Sequence, residues 1–428
     1  MTAEVAVINS TGVALAADSA VTIGSQKIYN SALKLFALSK TEPVGVMIYG
    51  NAALMNMPWE TIIKIYRKEL GPKSFKTLPE YSSSFFSFLA SRSDFFPTDA
   101  QESWLAMNVL GYYELIFDSL IEKVEKRIKE TSKIDEATTE EFLKYIVDEH
   151  HSSLIKRGFL DGLNKSFEDE VRKKYANKIK SLREEVFKEL PLSRAVVTKL
   201  NRIAAMLHSR DVFSQSTSGI VIAGFGATDL YPSVETNEVE GVICGRIKKK
   251  RLDNKSTRIL KGTECAVIPF AQDDMVASFM NGLNPSVHGF VISYLNEVFK
   301  RLPEIFDRDS LLGDESAKNK ALKQYGADIQ SLLGDFLNQL GTHTQREHVQ
   351  PIMQMVNALP KDELAAMAES LVNLTAFKRR MTRTLETVGG PIDVAVISKG
   401  DGLVWVKRKH YFPKELNQHF FANYYREI

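Results

Sequence analysis

The start of the chain decides the fold, and residues 1–18 read MTAEVAVINSTGVALAAD. Two apolar runs, Val5–Ile8 and Val13–Ala17, flank Thr11-Gly12, and this pattern is typical of a β-hairpin. A second pair of apolar runs follows between residues 34 and 49. Near-continuous apolar strands are covered on both faces, so we expect these strands to lie inside a layered structure.

The rest of the chain alternates between helical and strand patterns. Helical spacing of apolar residues runs from Pro58 to about Arg210, and strand patterns return between Gly219 and Ile268. Further elements are predicted at Asp273–Met280, Val287–Phe306 and Lys361–Met381 (helices), and at Ile392–Ser398 and Leu403–Val406 (a strand pair). This order predicts an α+β fold in which helices cover two sheets.

Three stretches interrupt this regular pattern. Serines separate the aromatic residues from Phe85 to Phe96, and we expect an irregular break there before Pro97. The cationic run Lys248–Arg251 fits either a solvated hairpin tip or a patch for an anionic partner. The polar stretch 307–323 is interpreted as a surface excursion.

Composition and charge exclude several classes of protein. The chain has 428 residues, of which 55 are Lys or Arg and 53 are Asp or Glu, so the net charge is +2. This balance gives no electrostatic case for binding nucleic acid or a membrane surface. No stretch reaches the roughly 18 apolar residues of a membrane helix, and the start lacks the basic segment of a signal peptide.

The residues that usually bind metals are few. Cys244 and Cys265 are the only cysteines, which is too few for a disulfide scaffold or a four-cysteine metal site. The pairs His150-His151 and His343/His348 lack the helical spacing of metal ligands and have no carboxylate ligand at a matching position. We therefore expect a cytoplasmic protein with no metal, no cofactor, no nucleic-acid partner and no membrane partner.

Several short segments match, in order, those of a known enzyme family. Thr2 is followed sixteen positions later by Asp18, which is followed sixteen positions later by Lys34. Gly50 closes the fourth predicted strand, and Gly389–Ile397 leads into the final hairpin. In these features the sequence resembles proteasome β subunits and their bacterial homologues, which are N-terminal-nucleophile (Ntn) hydrolases. The resemblance covers about half of the chain.

The resemblance implies a role for each of these residues. After removal of Met1, the Thr2 hydroxyl would be the nucleophile and its own α-amine the general base. Lys34 would keep that amine neutral, because a nearby ammonium lowers the pKa of an amine, and Asp18 would hold Lys34 in place. The Gly50 N–H would stabilise the oxyanion of the tetrahedral intermediate.

The sequence departs from the family pattern at the positions that support the α-amine. The family has a serine where this chain has Ala266, and an aspartate and a serine where it has Leu385 and Val388. If the turn before Gly389 is shifted by one residue, the substitutes are Thr384, Glu386 or Thr387. The identity of the supporting residues therefore stays open.

The family's fold is a four-layer αββα sandwich, here with large helical insertions. The predicted parts are residues 1–57, the first part of the Ntn core; 58–215, a mostly helical region with a large insertion; 216–306, the second part of the core; 307–360, a second helical insertion; and 361–428, the final helix and strands of the core. The inserted helices have apolar stripes that must be buried against the core, one another or a second copy. We favour a subdomain beside the active site that also contributes to a homo-oligomer contact.

The predicted function is a threonine-type hydrolase that cleaves amide bonds in peptides or proteins, assembled as a homo-oligomer. The competing interpretation is a catalytically silent structural subunit of a proteasome-like assembly. A hydrolase of small amides is a further option, because a fold does not fix the substrate. Removal of Met1 separates an active enzyme from a silent subunit.

Overall fold

Strands and helices alternate along the chain much as the sequence predicts. The strands are β1 (Ala3–Asn9), β2 (Gly12–Ala17), β3 (Val21–Ile23), β4 (Lys27–Tyr29), β5 (Leu35–Ala37), β6 (Val44–Gly50), β7 (Ala53–Leu54), β8 (Met57–Pro58), β9 (Ser218–Gly224), β10 (Ser233–Ile243), β11 (Arg246–Arg251), β12 (Thr257–Arg258), β13 (Cys265–Ala271), β14 (Asp393–Ser398) and β15 (Gly402–Lys407). The large sheets are antiparallel, and helices account for more of the chain than strands do. The predicted α+β class is confirmed.

Most of the helices lie between β8 and β9 or between β13 and β14. They are α1 (Trp59–Leu70), α2 (Leu78–Ser91), α3 (Thr98–Thr131), α4 (Glu136–Lys156), α5 (Lys165–Lys174), α6 (Ala176–Phe187), α7 (Arg194–Met206), α8 (Asp274–Asn281), α9 (Pro285–Arg308), α10 (Glu315–Thr344), α11 (Gln350–Ala358), α12 (Lys361–Arg380) and α13 (Gln418–Arg426). A short π-helical turn, Gln345–Val349, joins α10 to α11. The stretch 307–323, predicted as a surface excursion, is helical from Glu315 onward.

The computed structural model describes residues 2–23, 27–29, 32–188, 190–260, 262–308, 315–382 and 388–426. The chain divides into two compact units. Unit 1 comprises residues 1–32, 258–398 and 404–418, and unit 2 comprises residues 33–257, 399–403 and 419–428. The first predicted strand pair therefore belongs to unit 1 and the second pair to unit 2.

Unit 1 is built on a five-stranded sheet with the order β13-β1-β2-β14-β15. In the β1–β2 hairpin Asn9 pairs with Gly12, so the turn lies at Ser10-Thr11, one residue earlier than predicted. The Asn9 carboxamide oxygen accepts hydrogen bonds from the backbone N–H and the hydroxyl of Thr11, at 2.9 and 2.7 Å. A side chain that bonds to the backbone two residues later favours a tight turn of this kind.

Helix α12 covers one face of this sheet. Its apolar side chains pack against those of β1, β2 and β14, including Val5, Val7 and Ala16. The alternate residues of the same strands, such as Ile8 and Leu15, are also fully buried. Burial of both faces explains why these strands read as continuous apolar runs rather than as alternating ones.

Unit 2 contains the second large sheet, with the order β11-β10-β9-β6-β5. Helices α1 and α2 bury their aromatic and aliphatic side chains against one face of this sheet. The Trp59 indole N–H at the start of α1 donates to the Ser218 hydroxyl at 2.8 Å, which fixes the helix to β9. The strand residues that alternate with this face, among them Met47, Val221 and Ala223, are fully buried as well.

The irregular break predicted from Phe85 to Phe96 is wrong for most of that stretch. Helix α2 continues to Ser91 because Tyr81, Phe85 and Leu89 recur every four residues and are all buried on the sheet side. The intervening serines do not interrupt this apolar stripe. The break comes only after Ser91, and Pro97 then caps α3.

The remaining helices of unit 2, α3 to α7, pack on one another around a separate apolar cluster. Trp104, Tyr113, Phe167 and Phe187 are among its buried members. The Tyr113 hydroxyl donates to the Leu200 carbonyl at 3.0 Å. These helices therefore bury their apolar stripes largely against each other, which was one of the three arrangements open from the sequence.

Candidate active site

Thr2 immediately precedes β1 in unit 1. The residue is only 4% exposed, and its hydroxyl oxygen Oγ1 makes no hydrogen bond with any described residue. A buried hydroxyl without a partner costs about 1–3 kcal/mol, so such groups are rare in folded proteins. The predicted nucleophile is thus a buried hydroxyl with no hydrogen-bond partner in the described part of the chain.

Asp18 follows β2 and is joined to the residue after Thr2. Its backbone N–H donates to the Ala3 carbonyl at 3.1 Å, and its Oδ1 accepts from the Ala3 N–H at 3.2 Å. The hairpin register causes this pairing, because Glu4 lies opposite Ala17 and the next residues along must face each other. Asp18 and the start of β1 therefore form one fixed element.

The second carboxylate oxygen of Asp18 connects this element to a distant part of the chain. Oδ2 accepts from the N–H of Ala20 at 3.3 Å and from the N–H of Gly389 at 3.0 Å. The Ser19 N–H donates to the Gly389 carbonyl at 3.1 Å, and the Ser19 hydroxyl donates to the Pro391 carbonyl. The Gly-Gly-Pro segment noted in the sequence is thereby held against Asp18.

Ser19 is a site residue that sequence reasoning missed. Its side chain and backbone both bind the segment 389–391, yet no local pattern distinguishes it from an ordinary turn serine. Glu4 was also missed, although a carboxylate in an otherwise apolar strand is a signal that sequence inspection can detect. Glu4 is fully buried in β1, two residues after Thr2.

Lys34 and Gly50 belong to unit 2, at the β5–β6 pair. Lys34 is 5% exposed, and its carbonyl accepts from the Ile48 N–H at 2.8 Å, which places it beside the end of β6. Gly50 ends β6 as predicted, with a φ of +79°. A Cβ at this position would lie 2.6 Å from the Thr217 carbonyl oxygen, so only glycine fits.

The four predicted residues therefore fall into two pairs. In unit 1 Asp18 is hydrogen-bonded to Ala3, the residue after Thr2, and in unit 2 Lys34 is hydrogen-bonded to Ile48, two residues before Gly50. Their roles in catalysis stay predictions.

The positions that depart from the family pattern have apolar surroundings. Ala266 lies in β13 opposite Ile8, and Val388 is fully buried in the apolar cluster beneath α12. Thr384, Leu385, Glu386 and Thr387 lie outside the described residues. Neither Ala266 nor Val388 has a side chain that can form a hydrogen bond, so neither replaces the polar residue that the family has there.

The cationic run of β11 does not form a solvated hairpin tip. Lys248 is buried, and its ammonium lies 2.5 Å from Glu240 Oε2. Lys250 pairs with Asp211 at 2.7 Å, and the turn itself is formed by Cys244 and Gly245. The hairpin-tip interpretation is wrong because alternate residues of a strand point to opposite faces, and one of these faces is inside the unit.

His208 is a buried titratable group outside the predicted site. Its Nδ1 lies 2.9 Å from the Ala204 carbonyl, while Nε2 is buried without a hydrogen-bond partner in the described chain. Burial lowers the pKa of His208 to about 4. Its ring stacks edge-on against Trp104, with a centroid distance of 4.8 Å, so its role is structural packing.

The described ranges contain no group of three or more His, Cys, Asp or Glu side chains arranged to hold a metal ion. Among the helices of the same ranges, none combines the length and the apolar character needed to cross a bilayer. No known protein-family model matches the sequence, and no curated protein is similar to it.

Proposed function

We propose that the chain is a threonine-type Ntn hydrolase that cleaves peptide or other amide bonds, with Thr2 as its nucleophile. The observation that carries the proposal is the buried, unpartnered Thr2 hydroxyl directly beside the Asp18 element. A protein rarely leaves a buried hydroxyl unsatisfied unless the group has another use. Attack on the carbonyl carbon of a substrate, which makes the hydroxyl an acyl acceptor, is such a use.

The proposed reaction requires Met1 to be removed so that Thr2 carries a free α-amine. The Thr2 oxygen attacks the amide carbon, and the α-amine accepts the hydroxyl proton. The oxyanion accepts a hydrogen bond from the Gly50 N–H. The α-ammonium then protonates the leaving amine, the C–N bond breaks, and water hydrolyses the resulting Thr2 ester. Lys34 and Asp18 set the charge and orientation around the amine.

This reaction requires the two residue pairs to form one site, and we propose the four-layer αββα sandwich as the arrangement that does so. Each large sheet has one face covered by helices and a second apolar face that is also buried. Cytoplasmic location, a peptide or protein substrate and homo-oligomeric assembly belong to the same proposal.

A catalytically silent structural subunit is the second candidate. The apolar residues Ala266 and Val388 favour it, because they stand where the family has polar residues that support the amine. In that case the αββα fold would be kept for assembly, and Thr2 would follow a retained Met1.

The two candidates are separated by labelling of protein that carries no N-terminal tag. The protein is treated with a β-lactone, and its intact mass and peptide map are recorded. For the hydrolase, we expect Met1 to be absent and the acyl label to be on Thr2. The label should be lost in Thr2→Ala and kept in Thr11→Ala, which removes a threonine hydroxyl at the other end of β1, in the β1–β2 turn.

A Lys34→Ala variant tests the tuning of the amine. We expect it to fold but to be labelled about a hundredfold more slowly, the usual loss when general-base catalysis is impaired. Retained Met1 without labelling would support the silent subunit. Labelling of the wild type at any residue other than Thr2 would contradict both candidates.

A further inference from the structure

A second candidate site lies in unit 2, in an open groove of about 670 Å³ between helix α2 and strands β10 and β11. We name it the α2 groove. Ser82 and Phe86 of α2 form one wall, Asn237 and Lys249 of the sheet form the floor, and Asp161–Leu163 close the far side. None of the four residues assigned to the hydrolase site lines this groove.

Two largely buried polar residues line the groove, and no described residue forms a hydrogen bond with their side chains. Asn237 is 3% exposed, and its carboxamide makes no hydrogen bond with any residue that the structure describes. Ser82 is 7% exposed, and its hydroxyl is unpartnered in the same sense. Their carboxamide and hydroxyl groups are accessible from the groove, so a ligand bound there can complete their hydrogen bonds.

The floor of the groove also carries the Lys249 ammonium, on which the Asp161 and Glu235 carboxylates act at longer range than an ion pair. Lys248, Lys250 and Arg251 are each paired with a carboxylate, whereas Lys249 has no ion pair or hydrogen bond within the described ranges. Its Nζ lies 5.1 Å from the centroid of the Phe86 ring. Burial lowers the pKa of Lys249, and the carboxylates of Asp161 and Glu235 partly offset this by raising it.

Lys249 and Asn237 face the same space. In the β10–β11 register Asn237 lies opposite Arg251, and Lys249 is two residues from Arg251. The two side chains are therefore diagonal neighbours on one face of the sheet, roughly 7–8 Å apart by ordinary strand geometry. This separation lets one small group bind both.

The charge and apolar surface of the groove define the class of ligand. Arg246, Lys249 and Arg251 stand against Asp161 and Glu235, which leaves a single net positive charge. The Arg251 guanidinium is already bonded to Glu235 at 2.8 Å. A ligand with one negative charge would therefore neutralise the groove. A dianion would leave one negative charge uncompensated beside Asp161 and Glu235.

Apolar side chains also line the groove, among them Phe86, Leu163 and Ile247. We propose that the α2 groove binds a small organic monocarboxylate with an apolar body. Its carboxylate pairs with Lys249 and accepts hydrogen bonds from Asn237 and Ser82.

The test measures binding of benzoate to the full chain by ligand-observed NMR, with benzamide and inorganic phosphate as comparison probes. Benzamide has the same shape without the charge, and phosphate has the charge without the apolar body. We expect saturable benzoate binding with a Kd below about 10 mM, and binding of benzamide and phosphate at least tenfold weaker.

Two variants locate the site. Lys249→Met should weaken benzoate binding at least tenfold, whereas the matched control Lys250→Met, on the opposite face of the same strand, should leave it within twofold. Asn237→Asp should abolish binding, because the new carboxylate competes for Lys249. Circular dichroism confirms that each variant is folded.

Four results would overturn the proposal: no saturable benzoate binding, equal binding of benzamide, tighter binding of phosphate, or unchanged affinity in folded Lys249→Met. Each can occur whether or not Thr2 is labelled by a β-lactone, so the groove and the hydrolase site are tested separately.

Discussion

Replacing Asp18 by asparagine tests the element that holds the start of β1. The carboxylate accepts three backbone N–H groups, from Ala3, Ala20 and Gly389. An asparagine in the same place has one oxygen, which can keep the bonds of Ala20 and Gly389. Its NH₂ group then faces the Ala3 N–H, so one charge-assisted bond is lost and a buried donor is left unpaired.

The expected cost follows from these bonds. A hydrogen bond to a charged group contributes about 1.5–3 kcal/mol, and an unpaired buried donor costs a similar amount. Allowing for relaxation, we expect Asp18→Asn to lower the free energy of opening of this region by about 2–3 kcal/mol. That corresponds to exchange of the affected amides roughly thirtyfold to 150-fold faster.

Hydrogen exchange read by mass spectrometry is the appropriate assay, because the two units need not unfold together and a single global value would mix them. Peptides that contain Ala3 and Gly389 should exchange faster, while peptides of α3 should not change. The control is Asp135→Asn, since Asp135 caps α4 with one bond to the Thr138 N–H and asparagine caps equally well. Exchange at Ala3 and Gly389 that changes no more in Asp18→Asn than in this control would refute the reasoning.

Three further predictions concern unit 2. The folded-state pKa of His208 is lowered to about 4, so its contribution to stability is complete above pH 6.5 and falls by about 3 kcal/mol as the pH drops towards 4. The urea midpoint should therefore decrease over this pH range, and it should decrease less steeply in His208→Gln. Glu240→Gln leaves the Lys248 ammonium buried without a counter-charge, so urea unfolding should show a loss of about 3 kcal/mol or more. Gly50→Ala must place a Cβ against the Thr217 carbonyl at positive φ, and thermal unfolding should show a loss of about 1–3 kcal/mol; an unchanged melting temperature would mean that β6 adjusts without strain.

Much of the fold could be predicted from local patterns. The helix predicted at Lys361–Met381 is α12, with acidic residues in its first turn and cationic residues in its last, as the helix dipole favours. The hairpin predicted at Ile392–Val406 is β14–β15, and its apolar first strand is buried. The break predicted at Phe85–Phe96 is wrong for most of that stretch because a four-residue repeat of buried apolar side chains, Tyr81, Phe85 and Leu89, continues α2 past the serines.

The candidate site could be predicted only in part. Thr2, Asp18, Lys34 and Gly50 were selected from the sequence through their spacing and a family resemblance. The contacts of Ser19 and Gly389 could not be selected in this way, since these residues are far apart in the chain yet hydrogen-bonded. Asn237 of the α2 groove could not be selected from the sequence either, because an asparagine in a strand usually faces solvent, whereas this one is largely buried.

The sequence by itself determined which segments are strands and helices and which of their faces are apolar, because both depend on residues only a few positions apart. The tertiary structure alone decided which distant segment pairs with each strand. It placed β13 and β14 on either side of the β1–β2 hairpin, bound Gly389 to Asp18, and buried Lys248 against Glu240. The physical reason is that apolar burial is non-directional: a pattern shows that a face must be covered, but only the folded chain fixes the partner that covers it.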